Sequence, residues 1–474
     1  MTAHSGPSRR QVLQTAGCGF GALAWAALAN TSGAVADSGP GIGLPHFAPR
    51  AKRIIFLFMQ GGVSQVDSFD YKPRLAADDG LKTPFDDARL RANTGAGLSE
   101  HRLMRSPWAF AQHGESGLWV SDLFPEMARH ADELCVLRGM HTEGVAHGPA
   151  TLFLHCGAAA LVRPSLGAWV LYGLGTENQN LPGFVSISPS LGNGGARNFG
   201  AAFLPAEHQG TPLGRAGAPL ETPGLRNLAP RGIGVAERER FELMQRLNAA
   251  QAARRGGDDE LEAALRSYEL AWRLQESAPD VLDLSGETAA TQARYGIGQS
   301  PTDAFGRQCL LARRMCEAGV RFIQVTYGDN TANPAWDQHS NLPRHAEHAA
   351  AVDRPIAALL EDLRQRGLLD DTIVWWGSEF GRTPYAEKNG TGRDHNPGGF
   401  TIWLAGGGFR AGMAYGETDE FGHRAIVDTV HMHDLHATLL HQLGLDHERL
   451  TYRYAGRDFR LTDVAGRVVR PVIG

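Results

Sequence analysis

Carboxylates and imidazoles recur in this 474-residue sequence beside the ends of apolar runs. Gln60-Gly61-Gly62-Val63-Ser64 follows the run Arg53 to Met59, and His147 comes after Leu134 to Leu137. Asp337 and His339 follow Arg321 to Tyr327. Ser378-Glu379-Phe380-Gly381-Arg382 follows Thr372 to Trp376, and Gly392-Arg393-Asp394-His395 stands just before Phe400 to Leu404. Carboxylate oxygens and neutral imidazole nitrogens are the donors that hold a divalent ion such as Zn, Mn or Ca. Asp337 and His339 are two apart, so in extended chain they face the same way. Asp394 and His395 are adjacent and point apart, so one reaches an ion and the other supports it. The candidate metal ligands are therefore Asp337, His339, Glu379, Asp394 and His395. Arg382 and Arg393 carry the fork that fits phosphate, sulfate or carboxylate. With Gln60 and Ser64 they form the candidate substrate-binding set. Plainer roles exist for single residues: Glu379 could cap a turn, and Asp337 could pair with Arg344.

The apolar runs alternate with helical segments, which predicts an α/β fold: a central mostly parallel sheet with helices on both faces. Ligands of such sheets bind at the carboxyl ends of the strands, where the candidates lie. Phe184 to Ser188 reads as a further strand. A helix is expected from about Pro149, a favoured first-turn residue, and others over Thr302 to Ala318, His345 to Arg366 and His431 to Leu443. His345 and His348 fall on a helix face expected to be solvated. His431, His433 and His436 read as ordinary surface or packed residues. Residues 71–118 are polar and irregular. Residues 190–300 read as an insertion, Gly- and Pro-rich to 235 and then a charged helical hairpin over 236–276. With no internal repeat, residues 51–474 read as one domain behind a 37–50 linker.

The N-terminus predicts export. Ser8-Arg9-Arg10-Gln11-Val12-Leu13 supplies paired arginines, Ala16 to Ala29 is a short apolar run, and Ala34-Val35-Ala36 fits a cleavage site. Residues 1–36 thus read as a twin-arginine signal peptide, engaging the twin-arginine translocase and leading to the periplasm or the extracellular space. A retained anchor is the alternative. No later run is apolar enough to span a membrane. Net charge is -5 and there is no basic run, which argues against nucleic acid as a partner. Cys135, Cys156, Cys309 and Cys316 sit in apolar contexts without CxxC spacing, so buried free thiols are expected.

Several segments are similar to motifs of one bacterial family. They are Phe58 to Pro73, His147-Gly148-Pro149-Ala150, Arg163 to Gly167, Leu311 to Val320, Trp336-Asp337-Gln338-His339, Ser378 to Pro384 and Gly392 to His395. Together they resemble the family called domain of unknown function 1501, across almost the whole mature chain. That family looks like a branch of the alkaline phosphatase and sulfatase superfamily, and its members typically carry twin-arginine signals. The resemblance implies an alkaline-phosphatase-like sheet and a metal-centred hydrolytic site. Asp337, His339 and His395 match the superfamily's ligands, and Glu379 matches by type. Other positions depart. Gln60 stands where an Asp usually follows the first strand. His147 stands at the nucleophile, with Thr151 in place of an Arg. Ser378-Glu379-Phe380-Gly381 replaces Ser-Asp-His-Gly, which removes one His ligand.

These matches and departures lead to an exported single-metal hydrolase of phosphate or sulfate esters, in which a metal-bound water attacks an anionic small molecule or glycan. His147 would be catalytic, as a further ligand, a general base or a phosphohistidine-type nucleophile. The alternative is a catalytically degenerate member, exported as a binding or envelope-assembly protein. Conventional sulfatase chemistry is disfavoured because no Cys-x-Pro-x-Arg occurs.

Overall fold

Strand β1, Arg53–Met59, is buried at every position, because both of its faces are covered. Its side chains alternate between two cores. Ile55, Leu57 and Met59 belong to one, with Cys309, Leu310, Val352 and Leu359. Ile54, Phe56 and Phe58 belong to the other, with Phe153, Trp169, Leu435 and Leu439. A period-2 strand between two helical layers has no polar face to show, so it reads as a continuous apolar run.

The computed structural model describes residues 43–85, 101–220, 235–255, 272, 279–331, 333–387 and 391–474. The remaining main-sheet strands are β2 (Leu134–His141), β3 (Phe184–Ile187), β4 (Thr211–Leu213), β5 (Phe322–Tyr327), β6 (Thr372–Gly377), β7 (Phe400–Ala405), β8 (Met413–Tyr415) and β9 (Val430–His431). Among the described residues they form a nine-stranded sheet in the order β8-β2-β7-β6-β1-β5-β3-β4, with β9 beside β2. β7 runs antiparallel to both its neighbours, and the other pairs are parallel. Helices α1 (His147–Cys156), α2 (Leu166–Leu174) and α6 (Met432–Gln442) cover one face. Helices α4 (Asp303–Glu317) and α5 (Arg344–Gln365) cover the other, and α3 is Val235–Arg255. Residues Gly43–Gly474 form one compact unit.

Three sequence expectations change. β4 lies inside the expected insertion yet pairs parallel with β3, and three residues are too few to show a period. The irregular stretch 71–118 ends in an antiparallel hairpin, in which Phe110–His113 pairs with Leu118–Ser121 just beyond it. His345 and His348, expected on a solvated face, are buried. Their rings pack on Trp336 at 5.0 and 5.4 Å, because α5 lies under the loops that leave β1 and β5.

The expected signal segment 1–36 lies outside the described residues, as does most of the expected hairpin's second half. Within that hairpin, Phe241 stacks on Trp272 with centroids 4.6 Å apart. No helix among the described residues is long and apolar enough to cross a membrane. Cys135, Cys156, Cys309 and Cys316 are free and buried, and burial pushes Cys135 and Cys156 up to about 12.

Candidate metal centre

The carboxyl ends of β1, β5 and β6 bring Gln60, Asp337 and Glu379 to one rim of the sheet. After β1 the chain turns through Gly61 and Gly62, both at positive φ. A Cβ on Gly61 would stand 2.7 Å from the Asp337 nitrogen, so only glycine lets the two loops close to this distance. Beyond β6, strands Gly381–Ala386 and Arg393–Asn396 form an antiparallel pair that sets Arg382 opposite His395. His147 enters as the first residue of α1, which ends on Gly157 in the left-handed conformation.

Asp337 is the hub. Its Oδ1 lies 2.9 Å from His339 Nε2, 3.3 Å from His395 Nε2 and 2.7 Å from Arg382 Nη2. Its Oδ2 lies 3.2 Å from His147 Nε2. The His339 and His395 Nε2 atoms are 3.0 Å apart. Atoms of His147, Asp337 and His395 fall within 4.8 Å of one another, as do atoms of His339, Asp394 and His395.

The outward nitrogen of each ring fixes what the inward one can do. His395 Nδ1 is 2.9 Å from the Val145 carbonyl, which can only accept, so Nδ1 carries the proton. Burial holds the His395 pKa below its usual value against the opposing pull of Asp337, with the Arg382 charge adding to the lowering, so the ring is neutral and its Nε2 is a lone pair. That lone pair faces the Asp337 carboxylate. Two acceptors in contact need positive charge between them: a proton on His339 Nε2, or a cation. His339 Nδ1 is 2.6 Å from Glu387 Oε1, and His147 Nδ1 is 2.6 Å from Glu379 Oε1. Both rings therefore also have their Nδ1 proton drawn outward. Burial lowers the pKa of each, but the carboxylates outweigh it and raise both. Burial likewise favours neutral Asp337, and the surrounding histidines and Arg382 overcome it, holding the carboxyl far below its ordinary range. Among the described residues His147 Nε2 has no partner of good hydrogen-bond geometry, although it lies within 3.2 Å of Asp337 Oδ2. Three imidazoles and a carboxylate aimed inward fit a first-row divalent ion. The centre opens on the His339 side, where that side chain is 31% exposed and Glu387 28%.

The other sequence candidates sit elsewhere in the geometry. Both Glu379 oxygens accept from the Gly61 amide, at 3.0 and 3.1 Å, and one also takes His147, which places this carboxylate behind the ring. Asp394 accepts from the His395 amide at 2.7 Å and is 3.8 Å from His339 Nδ1, on the outward edge of that ring. The substrate-binding set needs correction. Arg382 is wholly buried and donates to Asp337 and to the carbonyls of Gly61, Gly62, Trp336 and Arg393. Arg393 is equally enclosed and pairs with Asp67 and with the carbonyls of Thr383, Met104 and Arg105. A guanidinium out of water must fill its donors with oxygen, and these loops supply it, so neither fork is open to an anion. Ser64 is also enclosed. Its hydroxyl donates to Asp67 and its amide to His345 Nε2. Gln60 is buried, and its side-chain carboxamide has no hydrogen-bond partner among the described residues. Glu387 escaped the sequence reading. The available signal was a carboxylate in the turn between the Arg382 and Arg393 motifs.

Residues 51–473 match the family model described as Protein of unknown function (DUF1501). The chain belongs to this family. No curated protein matches the sequence of this family member. Among solved structures it resembles a lipoteichoic acid synthase from Listeria monocytogenes at 9% identity and TM-score 0.37, covering 92% of this chain and 80% of that one. A sulfatase from Pseudoalteromonas sp. matches at 10% identity and TM-score 0.35, covering 84% and 69%. A phosphonate monoester hydrolase from Silicibacter pomeroyi matches at 10% and 0.34, covering 89% and 76%.

Proposed function

We propose that this DUF1501 protein is an exported, metal-dependent hydrolase of phosphate or sulfate esters, with a single divalent cation at Asp337. The observation that carries the reading is the neutral His395 ring, whose Nδ1 proton is committed to Val145 and whose lone pair faces a carboxylate. Asp337, His339 and His395 would hold the ion. When bound, it supplies Lewis acidity toward the ester and lowers the pKa of a water. Arg382 does not bind substrate in this reading. It fixes the Asp337 carboxylate against the Gly61-Gly62 loop. His339 and Glu387, on the open side, lie where an anionic ester would enter. The twin-arginine segment supports export of a chain that folds, and takes up its metal, before crossing the membrane.

The test is metal analysis of protein purified from the periplasm, together with hydrolysis of aryl phosphates and aryl sulfates. One equivalent of metal is expected, with turnover abolished in Asp337→Ala and His339→Ala. Metal-free wild type whose hydrolysis survives both substitutions sinks the reading. A metal-loaded protein that turns over no ester but binds sulfated or phosphorylated polymers identifies the binding or envelope-assembly role instead.

A further inference from the structure

We propose that His147 is itself a ligand of the cation at Asp337, and that Glu379 is a positioning residue that holds it there. The inference rests on the proposed cation and goes beyond it, because sequence type makes Glu379 a ligand and leaves His147 open between ligand, general base and nucleophile.

The three imidazoles at the centre repeat one pattern. Each directs Nδ1 outward to a protein acceptor: Glu379 for His147, Glu387 for His339 and Val145 for His395. Each directs Nε2 inward to Asp337. An outward hydrogen bond that fixes the tautomer and ring orientation is what metal-binding histidines characteristically have. His147 shares the pattern with two residues whose types already mark them as ligands. Its ring also lies among them, with centroids 4.4 Å from His395.

Glu379 has no oxygen turned to the centre. Its side chain is fully enclosed. Oε1 takes the His147 Nδ1 proton and shares the Gly61 amide, and Oε2 takes that amide as well. The Gly61 loop also abuts Asp337. One glycine turn therefore spaces the carboxylate that orients His147 from the carboxylate that His147 faces. A general base at position 147 would need Nε2 turned to solvent or substrate. Instead the side chain is 8% exposed and Nε2 faces the buried Asp337.

The experiment uses the full folded chain, stripped of metal and titrated with Co(II) alone. Visible absorption reports the ligand set, Zn(II) competition reports affinity, and thermal unfolding reports folding. His147→Ala and Glu379→Ala are each expected to weaken binding by roughly 10–100-fold and to change the Co(II) spectrum. A His147→Ala/Glu379→Gln double variant, whose glutamine keeps an acceptor for the Gly61 amide, should bind no more weakly than His147→Ala, since Glu379 reaches the ion through that ring. Glu379→Gln keeps an acceptor and should fall between wild type and Glu379→Ala. His147→Gln preserves side-chain bulk and serves if the alanine variant does not fold. A further loss on adding Glu379→Gln to His147→Ala would make Glu379 a ligand and overturn the proposal. So would a His147 variant with unchanged Co(II) spectrum and affinity but no turnover, which marks a base or nucleophile. Wild type that takes up no Co(II) refutes the underlying reading and this proposal together. Metal binding insensitive to position 147 refutes this proposal alone.

Discussion

Arg393 and Asp67 form a wholly enclosed, two-pronged ion pair, with Nε 2.7 Å from one carboxylate oxygen and Nη2 3.1 Å from the other. Ser64 donates a third hydrogen bond to the same carboxylate. Arg393 therefore joins the loop after β1 to the strand that carries His395.

Removing one partner leaves a buried charge unpaired. Arg393→Ala should lower unfolding free energy by roughly 3–5 kcal/mol, read by urea denaturation. Arg393→Lys should recover only part of this, because a point charge cannot make the forked contact. A variant of unchanged stability with a raised KM would instead return Arg393 to the substrate-binding role that its type suggests.

Gly61 has φ +118° and touches the Asp337 loop. Gly61→Ala combines backbone strain of about 1–3 kcal/mol with a shift of Asp337 away from its histidines. Metal affinity should fall along with the unfolding midpoint. Gly80, at φ +76° with open space around its Cβ position, provides the control: Gly80→Ala should show strain alone and leave metal binding unchanged.

Acid should destabilise the fold before the carboxylates titrate. Burial lowers His155 to about 4 and His436 to about 3, with nearby His433 adding to the latter. Their folded pKa values lie below the unfolded 6.5, so the stability they contribute is present above pH 6.5 and is lost as pH falls toward 4. Each ring costs up to roughly 1.4 kcal/mol per pH unit across that window. His436→Gln should flatten the decline of thermal midpoint between pH 6.5 and 4.5. A slope identical to wild type would show that this ring does not contribute.

Asp353 acts in the opposite sense. Burial raises it to about 7, although its oxygens accept the Glu126 and Met127 amides at 2.7 and 2.8 Å. A raised folded pKa gives stability that is full below about 4 and lost as pH rises through 7. Relative to Asp353→Asn, wild type should lose up to roughly 1.4 kcal/mol per pH unit between 4 and 7. His155 and His436 oppose this carboxyl between pH 4 and 6.5. Denaturant titrations of both proteins at pH 5 and 8 measure the difference.

The main strands and helices were legible because burial on both faces leaves a continuous apolar run, and amphipathic helices keep their period. β4 was not legible, because three residues carry no period. The burial of His345 and His348 was not legible either, since it depends on the loop after β1, far away in sequence, and on how Trp336 folds back over the start of α5.

The sequence by itself determined the α/β architecture, the rim of the sheet on which chemistry collects, and the residue types suited to a divalent ion. Tertiary structure alone decided how those types are used. It turned Arg382 and Arg393 inward because an enclosed guanidinium must fill its donors, and set Glu379 behind His147 because the Gly61 amide and the ring's Nδ1 occupy its oxygens. It brought Glu387, which stands between two motifs, to His339. Residue type limits the bonds a side chain can make, and only the packing of distant loops selects the partner and the direction.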